Sequence, residues 1–196
     1  MINTLSAYYL DFTKDFLYIL KQDSLRRRQV QTVLDIALEG LLHILTPIIP
    51  FTCEELYQLI DNHQYDSVQL DLFMADLNID MSEEDLNKMN RLMELRSNIF
   101  KALEVAREQK IIGTSLKAEL KLSTSQQLIS DIDSVFENLN QFAQWLIVSK
   151  VVVELGDNIE VLVANGHTCQ RCWNVVAEVD ENGLCPRCKE VLYGKN

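Results

Sequence analysis

No stretch of this 196-residue chain is apolar for long enough to cross a bilayer: the most apolar run, GLLHILTPIIPF, falls far short of the ~20 residues required and contains two prolines. A secretory leader is also missing, because Asp11, Lys14 and Asp15 interrupt the first twenty residues before an apolar region can build up. Together these absences predict a cytoplasmic protein with no membrane partner, whose thiols stay reduced. Basic residues are scarce. Eighteen Lys and Arg face 29 Asp and Glu, for a net charge of -11, which argues against binding nucleic acid through a blanket of positive charge. Any nucleic-acid site must therefore be local. Low-complexity runs and internal repeats are absent as well. The 47% hydrophobic content is ordinary for a globular protein and suffices for a sizeable core, in one large domain or a main domain with a small appendage.

Helical spacing dominates the first part of the chain. Leu5, Tyr8, Tyr9, Phe12, Phe16, Ile19 and Leu20 recur at three and four, and a second stripe runs through Val30, Val33, Leu34, Ala37, Leu41, Ile44 and Leu45 after an N-cap at Asp23 or Ser24. These predict a helical hairpin that ends at Pro47 and Pro50. Thr52-Cys53-Glu54-Glu55 reads as a capping box opening a short third helix through Leu59. Residues 61 to 81 read as irregular, with Ser67 to Leu70 extended. Ser82 with Asp85 then caps a long helix to about Lys110, with the stripe Leu86, Met89, Met93, Phe100, Leu103 and Ala106 and a stop at Gly113. Beyond it the period changes to two in SLKAELKLS, a strand signature, followed by a helix over 126–139 and strands in LIVSKVVVEL and IEVLVA. The expected fold is α+β: a helical bundle over 1–80, a long helix with a small α/β subdomain over 81–165, and a cysteine module over 166–196.

Four of the five cysteines stand in two C-x-x-C pairs, Cys169 with Cys172 and Cys185 with Cys188, separated by twelve residues. Each pair forms a tight knuckle whose two thiolates reach one ion, giving a closed tetrahedral site. A segment from Gly166 onward is too short for a core of its own, so a metal is the expected staple in a reducing compartment. The polar loop between the pairs and the absence of a redox-partner motif favour one structural Zn2+ over iron. Closed four-thiolate sites have no open position for catalysis. What the knuckles display is Arg171 and Arg187, at the same place in each, and Trp173 directly after the first. A planar cation and a large aromatic suit phosphate contact and base stacking in single-stranded RNA. The alternative is that Trp173 packs the module onto the body while the arginines are solvated.

The run Leu25-Arg26-Arg27-Arg28 opens the second helix, where the dipole disfavours cations, so a compensating anion is expected. Arg26 and Arg27 lie near the edge of the apolar stripe, which suits a structural ion pair for Arg27; Arg28 points away and is the candidate for an RNA phosphate. His43 in its apolar segment reads as a satisfied core histidine, and His167 as a bystander to a complete ligand set. Cys53 reads as a buried structural thiol.

In combination these motifs resemble a known family. HTCQRCWN...GLCPRC looks like the C-terminal zinc-binding domain of bacterial isoleucyl-tRNA synthetases; AYYLDFTKDFLYILKQDSLRRRQVQTVL and LTPIIPFTCEELY look like the anticodon-binding helical domain of these class I enzymes, and LRSNIFKALEVAREQKIIGTSLKAEL like the segment that follows it. The resemblance covers nearly the whole chain in order. It implies a partner, the anticodon stem and loop of isoleucine tRNA, and a catalytic core elsewhere in the parent enzyme. The HIGH-type and KMSKS-type signatures that bind ATP in such cores do not occur here, nor does editing-domain sequence. The chain is therefore expected to recognise tRNA without activating isoleucine itself. The competing expectation is a zinc-ribbon scaffold whose knuckles dock a protein.

Overall fold

A computed structural model describes residues 2–61, 63–73 and 80–194 and divides the chain into two compact units, Gln22–Asp80 and a discontinuous one formed by Met1–Lys21 with Met81–Asn196. Contacts thus group the first helical stretch with the second half of the chain rather than with residues 22–80. Among the described residues no helix is long and apolar enough to cross a membrane.

In the Gln22–Asp80 unit, helix α2 (Leu25–Leu45) and helix α3 (Pro50–Tyr57) close over a small core of Leu42, Cys53, Tyr57 and Val68. Ser24 occupies the N-cap of α2 without a side-chain capping bond, and Val33 and Ile44 of the expected stripe face outward while Val30, Leu42 and His43 are buried. The capping box at Thr52 does not form. Proline sets φ for the first helical turn without needing a donor, so α3 starts at Pro50 and Thr52 falls inside it. Glu54 instead accepts from Ser67 Oγ at 2.7 Å and from the backbone N–H of Val68 at 3.2 Å. This folds 67–71 into a turn, with Leu70 N–H on Ser67 O, where an extended segment was expected.

In the discontinuous unit, a π-helical stretch (Ile2–Leu10) continues into helix α1 (Asp11–Ile19), which buries Thr13 and Phe16. Helix α4 (Glu83–Glu108) begins as its sequence predicts: Ser82 Oγ accepts from Asp85 N–H, and Glu83, Glu84 and Asp85 complement the positive helix end. Its buried face is Leu92, Leu95, Arg96, Ile99, Leu103 and Ala106; Met89, Met93 and Phe100 flank it and Leu86 is exposed. The left-handed residue that ends α4 is Lys110 (φ 59°), not Gly113. Lys110 N–H reaches Arg107 O at 3.0 Å and Ile111 N–H reaches Ala106 O at 2.9 Å, which satisfies the last carbonyls three residues before the glycine.

Strand β1 (Ala118–Thr124) alternates as expected, with Ala118, Leu120, Leu122 and Thr124 buried. It is central in a three-stranded sheet, parallel to β2 (Lys150–Leu155) and antiparallel to β3 (Asn158–Val163). Two helices make the β1–β2 crossover, α5 (Gln126–Val135) and α6 (Leu139–Leu146). Sequence periodicity gives only the first. Asn138 accepts from Gln141 N–H at 3.1 Å and starts α6, which buries Phe142, Ala143, Trp145 and Leu146, so Leu146 ends a helix and the strand opens only at Lys150. Residues 167–168 (β4) and 175–176 (β5) form a small hairpin ahead of helix α7 (Pro186–Tyr193).

Arg96 is almost fully buried, and among the described residues no carboxylate pairs with it. Its guanidinium lies 4.0 Å from the Phe100 ring centroid, 4.9 Å from Tyr8 and 5.4 Å from Trp145, and its Nε donates to Trp145 O at 3.3 Å. Three ring faces and the negative end of α6 replace the missing anion. Trp145 Nε1 donates to Tyr8 Oη at 2.9 Å, so the N-terminal helical stretch is fastened to α4 and α6.

Candidate metal centre and nucleic-acid interface

The two C-x-x-C knuckles fold through different local devices. In the first, Trp173 N–H bonds Cys169 O and Cys169 N–H bonds Asn174 O, both at 2.9 Å, a tight turn that requires Trp173 to adopt a left-handed backbone at φ 62°. In the second, Cys185 is the N-cap of α7: its Sγ accepts from Cys188 N–H at 3.4 Å, and Pro186 takes the first helical position. Between them Asp180 Oδ1 accepts from Asn182 and Leu184 N–H at 3.0 and 2.9 Å, turning the chain back. Gly183 (φ 71°) lets Gln170 N–H reach Gly183 O; a Cβ there would stand 2.7 Å from Gln170 Cγ.

All four thiols are buried, and their Sγ atoms lie within 4.8 Å of one another. Cys172 Sγ and Cys185 Sγ are 3.8 Å apart. A tetrahedron with ~2.3 Å metal–sulfur bonds has edges of ~3.8 Å, so the cluster has the dimensions of a four-thiolate site. Burial pushes up the thiol of Cys172, and that of Cys188 more strongly. Burial also acts against ionisation of Cys169, but backbone N–H groups of Cys172, Cys185 and Arg171 outweigh it and bring this thiol down to about 6.

Both knuckle arginines face helix α1. Arg171 Nη1 donates to Ile19 O at 2.7 Å and Nη2 to Tyr18 O at 3.3 Å, while Nη1 lies 3.8 Å from Cys188 Sγ. Arg187 makes a two-pronged pair with Asp15, Nη1 to Oδ2 at 2.6 Å and Nη2 to Oδ1 at 2.8 Å. Burial alone would lower the Arg187 pKa, yet the Asp15 carboxylate and the Cys172 sulfur raise it. These donors, expected on RNA phosphates, are directed at protein. Ser149 Oγ makes a further tie, accepting from Val175 N–H at 2.7 Å and donating to Leu116 O.

Trp173 is 66% exposed, so it does not seal the module onto the body. With Tyr18, itself 74% exposed, it borders a cleft of about 390 Å³ lined also by Phe12, Gln144 and Ile147. Ile147 (φ 58°) is left-handed like Trp173, unusual for a β-branched residue. Arg28, in the other unit, is exposed, and its Nη1 donates to Gln31 Oε1 at 3.2 Å. His43 is buried, but neither ring nitrogen has a hydrogen-bond partner among the described residues; Nε2 is 3.6 Å from Asp71 Oδ2. His167 is exposed in β4, and Cys53 is buried in the α2–α3 core. No sequence signal marks Asp15 or Ser149: Asp15 meets Arg187 172 residues away, and Ser149 meets Leu116 and Val175 at separations of 33 and 26 that no local pattern announces.

The chain matches, over residues 1–124, the family described as the anticodon-binding domain of tRNA ligase. It is 40% identical to the isoleucine–tRNA ligase of Acholeplasma laidlawii (strain PG-8A), over 99% of this chain and 22% of that protein. For the isoleucine–tRNA ligase of Onion yellows phytoplasma (strain OY-M) the identity is 38%, over 97% of this chain and 21% of the relative. For that of Staphylococcus carnosus (strain TM300) it is 41%, over 96% and 22%. The chain thus spans about a fifth of the length of these relatives.

Proposed function

We propose that this chain, which belongs to the family of anticodon-binding domains of tRNA ligases, is the C-terminal region of a class I isoleucine–tRNA ligase and holds the anticodon stem and loop of isoleucine tRNA. The observation that carries the reading is the family match over residues 1–124, continued by similarity to isoleucine–tRNA ligases through the cysteine module. ATP-dependent charging belongs to the catalytic core of the parent enzyme, which is this region's second partner, and the setting is cytoplasmic. Recognition rests on anticodon bases splayed out and stacked on aromatic side chains, with phosphate contacts fixing the register. Trp173 supplies the stacking face and Arg28 a phosphate contact, while Arg171 and Arg187 serve the site through α1.

One zinc ion bound by Cys169, Cys172, Cys185 and Cys188 staples the module. Burial, four convergent sulfurs and a Cys172–Cys185 separation of 3.8 Å suit that ion. When bound it supplies folding energy, not an open coordination position.

The test is a titration of the chain with isoleucine tRNA and with an unrelated tRNA at several salt concentrations. Tighter binding of the cognate species at every salt supports anticodon recognition; equal affinities with a steep salt slope would reduce it to generic attraction and leave a protein-docking zinc ribbon in its place.

A further inference from the structure

Resting on that reading, we infer that Arg171, Arg187 and Asp15 form a latch between the cysteine knuckles and helix α1 whose role is to position Trp173 for RNA. The two arginines occupy equivalent places, each one residue before the second cysteine of its knuckle, and they take neighbouring positions on a single helix face. Asp15, Tyr18 and Ile19 stand at i, i+3 and i+4 and supply a carboxylate followed by two terminal carbonyls. The last carbonyls of a helix lack internal partners and sit at its negative end. Helix α1 has no basic residue in its own last turn, so Arg171, 152 residues away, fills that place.

The same guanidiniums touch the sulfur cluster, Arg171 at Cys188 and Arg187 beside Cys172. Each arginine therefore bridges a thiol and α1, fixing the knuckle on the helix from both sides. Four thiolates around a divalent ion would carry a net charge of two minus, and the two guanidinium groups lie against that charge, Arg187 while also pairing with Asp15.

Trp173 is the residue whose placement this decides. It follows Cys172 directly, its ring is mostly exposed, and its direction is set by the left-handed turn closed by Cys169 O. A knuckle free to rock on α1 would swing that ring across the mouth of the cleft it borders with Tyr18. Asp15, Arg171 and Arg187 are positioning residues: they act on RNA through the orientation of Trp173.

The test uses the full chain labelled with 5-fluorotryptophan, whose two 19F resonances are assigned with Trp173→Phe. Asp15→Asn and Arg187→Gln should shift or broaden the Trp173 resonance and leave Trp145 in place, with metal content and helical circular dichroism unchanged; Asp15→Glu, which keeps the charge, should restore it. In parallel, Asp15→Asn should weaken binding of isoleucine tRNA about fivefold, as for a binding-competent orientation populated about a fifth of the time. It should add nothing in a Trp173→Ala background. An unmoved Trp173 resonance, or an equal loss of affinity with and without Trp173, overturns the latch. Parent-like tRNA binding by Trp173→Ala overturns the latch as well, since it leaves Trp173 no stacking role; the anticodon reading falls instead if the parent chain binds isoleucine tRNA and an unrelated tRNA equally, so the two failures are told apart.

Discussion

Replacing Arg91 by Leu should destabilise the discontinuous unit more than replacing the buried acid it serves. Asp131 is the inaccessible partner, its side chain 3% exposed against 39% for Arg91. The carboxylate accepts from Arg91 Nε at 2.7 Å and Nη2 at 2.9 Å, and from Gln127 Nε2 at 3.2 Å. Arg91→Leu leaves that buried charge with the amide alone. Removing one partner of a buried pair costs ~3–5 kcal/mol, and because water already reaches Arg91 the lower end, ~3 kcal/mol, applies. Asp131→Leu frees an arginine that can turn into solvent and should cost about half as much, and the double variant should lie near Asp131→Leu. Arg91, followed by burial acting in opposition and by Gln127, holds the Asp131 carboxyl below its ordinary range. A folded-state pKa depressed in this way contributes stability that is present above the unfolded value, ~3.9, and is lost as pH falls through the folded one. The difference between parent and Arg91→Leu should therefore be complete at neutral pH and shrink below pH ~4. Urea unfolding followed by far-ultraviolet circular dichroism reads both, with a fall in Tm of ~6–12 °C as a second measure. A cost below ~0.5 kcal/mol for Arg91→Leu at neutral pH refutes the reasoning.

Trp173→Ala should cost ~1–3 kcal/mol of affinity for isoleucine tRNA without changing the salt slope, since no charge is lost; the titration of the proposed function reads both quantities. The purified chain should contain one zinc per molecule by elemental analysis, and Cys185→Ser should release it and loosen residues 166–194 to proteolysis while the Gln22–Asp80 unit, with its own core, keeps its helical signal. Pyrophosphate exchange with isoleucine and ATP should stay at the level of a blank preparation, and exchange above that level would mean that a complete active site lies within the 196 residues.

What was legible in the sequence was what local chemistry decides. Ser82 caps α4 because its hydroxyl needs only the N–H of Asp85, and β1 alternates because a pleat puts every second residue in the core. The cysteine spacing similarly foretold the cluster of sulfurs. Misreadings arose where two local signals competed: Thr52 offered a capping box, but Pro50 started the helix first, and Leu146 looked like the start of an apolar strand until Asn138 opened a helix that consumed it. Gly113 was the natural left-handed residue, yet Lys110 took that conformation because the open carbonyls of α4 lie within its reach. Least legible were the long-range charge partners. Nothing in the CPRC knuckle announces that Arg187 meets Asp15, 172 residues away, and nothing in the stripe of α4 announces that three aromatic rings close over Arg96.

The discontinuity of the larger unit carries a consequence for synthesis. Asp15 meets Arg187 across 172 residues, and Tyr8 meets Trp145 across 137. At ribosomal rates of ~5–20 residues per second, α1 waits roughly 10–30 s for the knuckle that covers its last turn. Residues 22–80 close on contacts that are local by comparison and are complete long before then. The nascent chain therefore carries a finished insert between an early helix and its late partners, and during that interval the aromatic face of Phe12 and Phe16 is the surface that a ribosome-associated chaperone would meet.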